Sequence, residues 1–529
     1  MDFRFDAQEP VRVWYYFGQL SRIPRGSRNT AQVSDYCVSF AKEHGLKYRQ
    51  DALGNVIIWK AASIGRESEP AVILQGHLDM VAEKCEGSAH DFFKDPLELK
   101  REGDMIYAQD TTLGGDDGIA IAYSMAILED DTLSHPALVA VFTVDEEIGL
   151  LGAAALDMED IDAKYVLNMD SETEGELIAG CAGGMTSTTT LELCTVSARQ
   201  ALGLCASHAE PENSASDMPA AILEISVTGL AGGHSGTEIQ KEHCNAAKLF
   251  GRVLNDILRE VNVCLIDAHF GQKDNAIPCF GSAHILAAAA DIPAIQRTVA
   301  ETERRAAKEH AVSDPHLAVR VCKAGDCSDK CGLPDSCAAE DNVGPGNQNK
   351  MPEKITAATP EDTRKVASYL MLAPNGILYW HPTIPGLVET SLNLGIFDVQ
   401  NSVMTAGYSV RSSVASRKHL LGEMLRTLAD TVGADYSEAG DYPGWEYRED
   451  SVLRPAMVQI YQELFGEKPE VCTIHAGLEC GYFMGKKPDL DIVSFGPNIY
   501  DIHTAKERIS ISSVERGYRY VRKILETTL

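Results

Sequence analysis

Three short apolar runs in this 529-residue chain each stop at side chains suited to metal binding. Ala71-Val-Ile-Leu-Gln-Gly ends at His77, Leu138-Val-Ala-Val-Phe-Thr-Val ends at Asp145-Glu146-Glu147, and Tyr165-Val-Leu-Asn-Met ends at Asp170. Apolar runs without polar alternation read as strands buried on both faces, the pattern of a largely parallel sheet covered by helices. In open α/β sheets, sites assemble outside the carboxyl ends of the strands. The same runs therefore constrain both the architecture and the place where its chemistry sits.

Two further segments supply the same residue types. Thr111-Thr-Leu-Gly-Gly-Asp116-Asp117-Gly118 precedes the apolar segment Ile119 to Leu128, so Asp116 opens a helix after a glycine turn that lets the backbone approach an ion. Asn498-Ile-Tyr-Asp-Ile-His503 precedes a helix near the carboxyl terminus. The spacings are 39 residues from His77 to Asp116, 31 to Glu147, 23 to Asp170 and 333 to His503, so no short-range metal motif is present. Each piece alone has a plainer explanation. A His-x-Asp is commonly a satisfied pair, Asp-Asp-Gly a turn or helix cap, and an acidic pair after a strand a solvated face. Those explanations do not account for the recurrence of such residues at strand exits. Imidazole and carboxylate suit zinc, and two metals about 3.5–4 Å apart can share a bridging carboxylate. Adjacent carboxylates raise one another's pKa unless a cation lies between them, so a dication would relieve Asp145, Glu146 and Glu147. Asp79, two residues past His77, is the natural acceptor for the second ring N–H. The constellation reads as a two-zinc hydrolase.

These residues lie in longer segments that carry a resemblance. They include the His77 strand, Asp91-Phe-Phe-Lys-Asp-Pro96, Thr111 to Gly118, Asp145 to Gly149, Asn168 to Gly184 and Gly232-Gly-His-Ser-Gly236. Downstream are Asn275-Ala-Ile-Pro278, Gly386 to Gly395, Tyr442-Pro-Gly-Trp445 and His475-Ala-Gly-Leu-Glu-Cys-Gly481. With these segments the chain resembles the aminoacyl-histidine dipeptidases, also called cytosolic non-specific dipeptidases, which are co-catalytic zinc exopeptidases related to aminoacylases and carboxypeptidase G.

The resemblance implies two zinc ions per subunit, with manganese or cobalt as substitutes. Asp116 would bridge both, His77 and Asp170 would bind one, and Glu147 and His503 the other. It also implies a cis peptide bond between Asp116 and Asp117. Glu146 would be the general base for a zinc-bridging hydroxide, and would pass the proton to the leaving amine of an unblocked dipeptide, Xaa-His and β-alanyl-histidine included. Asp79 would orient His77. His234 would reach the oxyanion from a partner subunit, which implies a homodimer through a lid domain. Arg411 would take the substrate carboxylate with Asn275 beside it, and His475 would line the substrate pocket or simply pack. The family often has asparagine at the position of Asp117 and alanine at that of Gly115. Two rivals remain. An N-acyl amino acid amidohydrolase would use the same mechanism, although the Gly386–Gly395 and His475–Gly481 blocks favour the dipeptidase branch. A non-catalytic metal- or peptide-binding relative would have no need of Glu146, His234 and Arg411 together.

A chain of this length exceeds one core. Alternating strands and helices from Val33 to about Gly184 predict an α/β catalytic domain with a mostly parallel central sheet flanked by helices. Its expected segments are residues 1–185 and 444–529. Residues 186–443 form the expected α+β insertion, the lid and dimerisation domain of the resemblance. There the sequence predicts a strand from Ala221 to Gly229, a helix from Asn245 to about Val261, and a strand around Cys264 to Phe270. A strand and helix from Ser282 to about His310, a strand before Arg411, and a helix from Lys418 to about Val432 complete it.

Residues 322–354 form an irregular insert in which Cys322, Cys327, Cys331 and Cys337 leave gaps of four, three and five residues. These are not the repeated two-residue gaps of a strong zinc knuckle, so a flexible loop is expected. The 14 cysteines are mostly isolated among apolar residues, which predicts reduced thiols without a disulfide framework. The segment Met1-Asp-Phe-Arg-Phe-Asp has no signal-peptide character and no apolar run reaches membrane length, so the expected location is cytoplasmic. A formal charge of −30 argues against nucleic acid and anionic membranes as partners.

Overall fold

The computed structural model describes residues 8–205, 219–324 and 355–528, and the structural statements that follow concern those residues. The chain divides into two compact units, residues 1–182 with 442–529 and residues 183–441.

The first unit is built on an eight-stranded sheet in the order Lys47–Gln50, Val56–Lys60, Leu138–Thr143, Val72–His77, Tyr165–Asn168, Asp491–Ser494, Glu176–Cys181, Glu470–Ile474. The run Leu138–Thr143, Val72–His77, Tyr165–Asn168 and Asp491–Ser494 is parallel throughout. Antiparallel strands extend it at the Val56–Lys60 side. Every residue of Val72–His77, Leu138–Thr143 and Tyr165–Asn168 is buried, which is why these segments carry no polar alternation. Alternate residues divide between two cores. Val72 and Leu74 join Trp14, Phe17, Ile119 and Tyr520 from the helices on one face. Ile73 joins Val141, Trp445 and Phe483 on the other. Each such side chain contributes roughly 1.5–3 kcal/mol through burial.

The helix Gly115–Glu129 packs against the His77 strand. Their approach is so close that a Cβ at Gly76 would lie 2.5 Å from both the Ala120 Cβ and Asp117 Oδ2. Asp116 and Asp117 themselves have non-helical backbone angles, and the peptide bond joining them is cis, as the resemblance implied. The regular helix therefore begins one turn later than the hydrogen-bonding pattern suggests.

The second unit holds a nine-stranded sheet whose main path runs Ala318–Lys323, Ala220–Thr228, Gly281–Ala288, Cys264–Phe270, Val388–Gln400, Val403–Ser412, Gly183–Glu192, Asp435–Tyr442. Gly376–Trp380 pairs with Val388–Gln400 off this path. The helices Ala246–Glu260, Pro360–Leu372 and Ala415–Val432 supply Phe250, Val366 and Leu425 to a core shared with Ile225, Phe270 and Phe397 of the sheet. The side chain of Asn245 caps the first of these helices by accepting from Ala247 N and Lys248 N.

Cys322 is disulfide-bonded, so the expectation of reduced thiols fails at that position. Cys327, Cys331 and Cys337, and with them the expected loop, lie outside the described residues. No described helix is long and apolar enough to cross a membrane.

Substituting Gly76→Ala is expected to destabilise the first unit by about 1–3 kcal/mol, the usual cost of forcing atoms into a filled core. Thermal unfolding of the metal-free protein measures this, and an unchanged midpoint would contradict the close approach.

Candidate metal centre

Side chains at the exits of the central strands converge. His77 is 1% exposed, and its Nε2 lies 3.0 Å from Asp116 Oδ1 and 3.5 Å from Asp170 Oδ1. His503 Nε2 lies 3.2 Å from Asp116 Oδ2 and 3.1 Å from Glu147 Oε2. Donor atoms of His77, Asp116 and Asp170 fall within 4.8 Å of one another, as do those of Asp116, Glu147 and His503. Asp116 thus belongs to both triads and presents a different oxygen to the histidine of each. Glu146 forms a third such group with His77 and Glu147.

Asp79 is fully buried behind the cluster. The His77 Nδ1 lies 3.2 Å from its main-chain oxygen and 3.5 Å from Oδ1. Its carboxylate also accepts the main-chain N–H of Glu146 at 3.0 Å and of Glu147 at 3.3 Å, together with the Ser27 hydroxyl at 2.8 Å. It therefore orients two segments of the site rather than one histidine alone.

The electrostatics follow from crowding. Burial opposes charge on His77, yet the carboxylates of Asp170, Asp116 and Asp79 outweigh it and hold the imidazole pKa well above its ordinary value. Hydrogen bonds to Asp116 and Glu147 raise His503 to about 11. Burial lifts Asp170 to about 7 despite the pull of His77. Burial also lifts Glu146 well above the usual carboxylate range, with repulsion from Asp170, Glu479 and Glu147 adding to it. Asp117 is raised by burial and by Asp170. The pocket carries more negative charge than its histidines neutralise. Glu147 Oε1 is buried without a hydrogen-bond partner. An unmatched carboxylate oxygen within a mixed imidazole and carboxylate donor set fits a divalent cation.

Glu479, in the His475–Gly481 block, has a structural task that its local sequence does not signal. It is fully buried, and it accepts from Gln75 Nε2 and from Thr143 Oγ1 at 2.6 Å. Those two residues lie on the neighbouring strands that end at His77 and lead into Glu146, so one carboxylate ties both strands together near their exits. Burial lifts its pKa to about 7. His475 follows the edge strand Glu470–Ile474, is mostly buried, and belongs to none of the triads. Arg25 and Glu507, also unassigned from sequence, are buried beside the Asp116 turn.

The remaining expected site residues gather in the second unit. His234 lies on the short strand Gly233–His234, paired with Ala276–Ile277. The main-chain N–H groups of Gly236 and Thr237 donate to its Nδ1 at 3.2 and 3.1 Å. The ring nitrogen that accepts cannot carry the proton, so the neutral imidazole presents N–H at Nε2. Burial and the nearby Arg411 charge lower its pKa and favour that neutral form. Asn275 is adjacent through its main-chain oxygen, which accepts from Ser235 N at 2.8 Å. Arg411 is mostly buried on the strand Val403–Ser412, opposite Ser391 and Gly184.

Comparison with known proteins identifies the family and the fold. A cytosol non-specific dipeptidase from Escherichia coli K12 is 33% identical over 519 residues, covering 98% of this chain and 97% of its own length. The crystal structure of an aminoacylhistidine dipeptidase from Vibrio alginolyticus superposes with a TM-score of 0.87 at 29% identity, covering 100% of this chain and 98% of that one. A Bacillus cereus aminopeptidase, at 15% identity and a TM-score of 0.54 over 98% of both chains, shares the fold. Residues 73–527, the span that holds every member of both triads, match Peptidase family M20/M25/M40, and the chain belongs to that family.

Proposed function

We propose that this protein is a dizinc dipeptidase that hydrolyses unblocked dipeptides, Xaa-His and β-alanyl-histidine among them. The observation that carries this reading is the sharing of Asp116 by two triads, with one of its oxygens directed to each, an arrangement suited to two neighbouring cations. The names of the Escherichia coli and Vibrio alginolyticus relatives support the substrate class.

In this reading Asp116 would serve both ions, His77 and Asp170 would hold one, and Glu147 and His503 would hold the other. Zinc suits these donors, with manganese or cobalt as substitutes. When bound, such ions make water acidic and polarise the scissile carbonyl. Glu146 takes the proton from the attacking water and delivers it to the leaving amine, a task for which its raised pKa suits it. His234 donates its Nε2–H to the oxygen that gains charge, acting in the site of a partner subunit across a dimer formed by the 183–441 unit. Arg411 pairs with the substrate carboxylate, Asn275 assists it, and His475 lines the substrate pocket. The reaction belongs in the cytoplasm.

Metal-stripped protein restored with zinc is expected to cleave unblocked dipeptides and to spare longer and N-acylated substrates. Glu146→Ala is expected to lose roughly 10²–10⁴-fold in kcat while still binding metal. Cleavage of N-acyl amino acids alone would move the assignment to an amidohydrolase, and tight metal binding without turnover of any substrate would refute catalysis.

The charge state of Asp170 gives a second expectation. Its folded pKa of about 7 lies above the unfolded value near 4, so its contribution to stability is present at low pH and is lost as pH rises through about 7. A dication reverses the preference by favouring the ionised form. The gain in thermal midpoint on adding zinc is therefore expected to grow as pH rises from about 5 to about 8. A gain that shrinks over that range would contradict the assignment of Asp170 as a ligand.

A further inference from the structure

Two charged side chains beside the Asp116 turn, Arg25 and Glu507, have no task in the chemistry above, yet each is only 3% exposed. Arg25 Nη1 donates to the main-chain oxygens of Leu78 at 3.0 Å and Asp79 at 2.9 Å, and Nη2 donates to that of Gly114. One guanidinium thus bridges the exit of the His77 strand and the turn that delivers Asp116. Glu507 grips the same turn through its N–H groups. Its Oε2 accepts from Leu113 at 2.8 Å and Gly114 at 3.0 Å, and its Oε1 accepts from Gly115 at 2.7 Å and Asp116 at 3.4 Å.

The local sequence is shaped around this grip. A Cβ at Gly114 would lie 2.4 Å from Arg25 Nη2, and one at Gly118 would lie 2.6 Å from the same atom. The guanidinium fills the space that side chains at those positions would take. Gly114 also has φ +66°, a backbone conformation that favours glycine. A planar fork can reach carbonyls on two segments at once, whereas an ammonium is a point donor. The positive charge faces Glu507, Asp79, Asp117 and Asp116. Neither residue contributes a donor atom to the triads.

We propose that Arg25 and Glu507 are positioning residues for the metal centre, which fix the Asp116 turn against the His77 strand so that one carboxylate reaches both triads. The inference rests on the metallopeptidase reading and extends it to residues that touch neither ion nor substrate. Groups that orient ligands in this way typically govern affinity by about 10–100-fold.

The test is titration of the metal-stripped full chain with Co²⁺, following both affinity and the visible absorption that reports ligand geometry. Wild type is compared with Arg25→Met, Arg25→Lys and Glu507→Gln. Arg66→Met serves as control, because Arg66 is another buried arginine that donates to main-chain oxygens, those of Ser134, Leu525 and Thr527, none of which borders the site. Arg25→Met and Glu507→Gln are expected to weaken cobalt binding about 10–100-fold and to alter the spectrum. Arg25→Lys should recover only part of the loss, and Arg66→Met should lower the thermal midpoint while leaving affinity and spectrum unchanged. Should Arg25→Met fail to fold, Arg25→Lys and Glu507→Gln decide by the same criteria. Folded variants with wild-type affinity and spectrum would overturn this inference alone. A wild-type chain that takes up no cobalt would overturn the metallopeptidase reading and this inference with it.

Discussion

The carboxylates of Asp79, Asp116, Asp117, Glu146, Glu147 and Asp170 are crowded into one region of the first unit, where Asp79 and Asp117 are buried and the other four are partly buried. Removing charge from water is costly unless it is paired, hydrogen-bonded or bound to a cation. The groups meet that requirement to different extents. Asp79 accepts two main-chain N–H groups and a hydroxyl. Asp116 lies between two imidazoles. Asp117 accepts the His77 N–H. Glu147 retains an oxygen with no partner at all. The fold can hold this concentration of charge because the strands end here, leaving main-chain N–H groups free of the sheet ladder.

The histidines show how neighbours rather than residue type decide chemical character. His77 and His503 face carboxylates, which favour positive charge or, equally, a shared cation. His234 faces two main-chain donors and an arginine, which favour a neutral ring with its proton on the far nitrogen. Three imidazoles in one chain are thus prepared for opposite tasks without any change in covalent chemistry.

The parallel heart of the first unit was legible because strands buried on both faces leave an unbroken apolar run, and the donors were legible because they follow directly on those runs. His77, Glu147 and Asp170 each sit at or just after the last residues of such a strand. Asp116 was visible from its glycine turn, although its own backbone is not helical. His234, Asn275 and Arg411 were found only through motif resemblance, because their local sequences describe ordinary turns and a strand. The tautomer of His234 depends on two N–H groups in the following turn and had no sequence signal. Arg25, Glu479 and Glu507 were opaque for a related reason. They act through main-chain atoms or through polar residues distant in sequence, such as Glu479 with Gln75 and Thr143, so their significance exists only after strands have paired.

The strand Asp491–Ser494 lies between Tyr165–Asn168 and Glu176–Cys181, in the interior of its sheet. During synthesis, residues 1–182 therefore emerge with a gap where a hydrogen-bonded neighbour must later insert, and the whole 183–441 unit follows before that neighbour is made. Domains that form from contiguous sequence can fold as they emerge, but an interrupted sheet has to wait with unpaired edges. A message truncated after the second unit would thus yield a chain with one complete unit and an aggregation-prone remnant, lacking His503 as well as the strand that closes the sheet. The link between sheet completion and arrival of the last histidine means that a nascent chain acquires its full donor set only when its core can close.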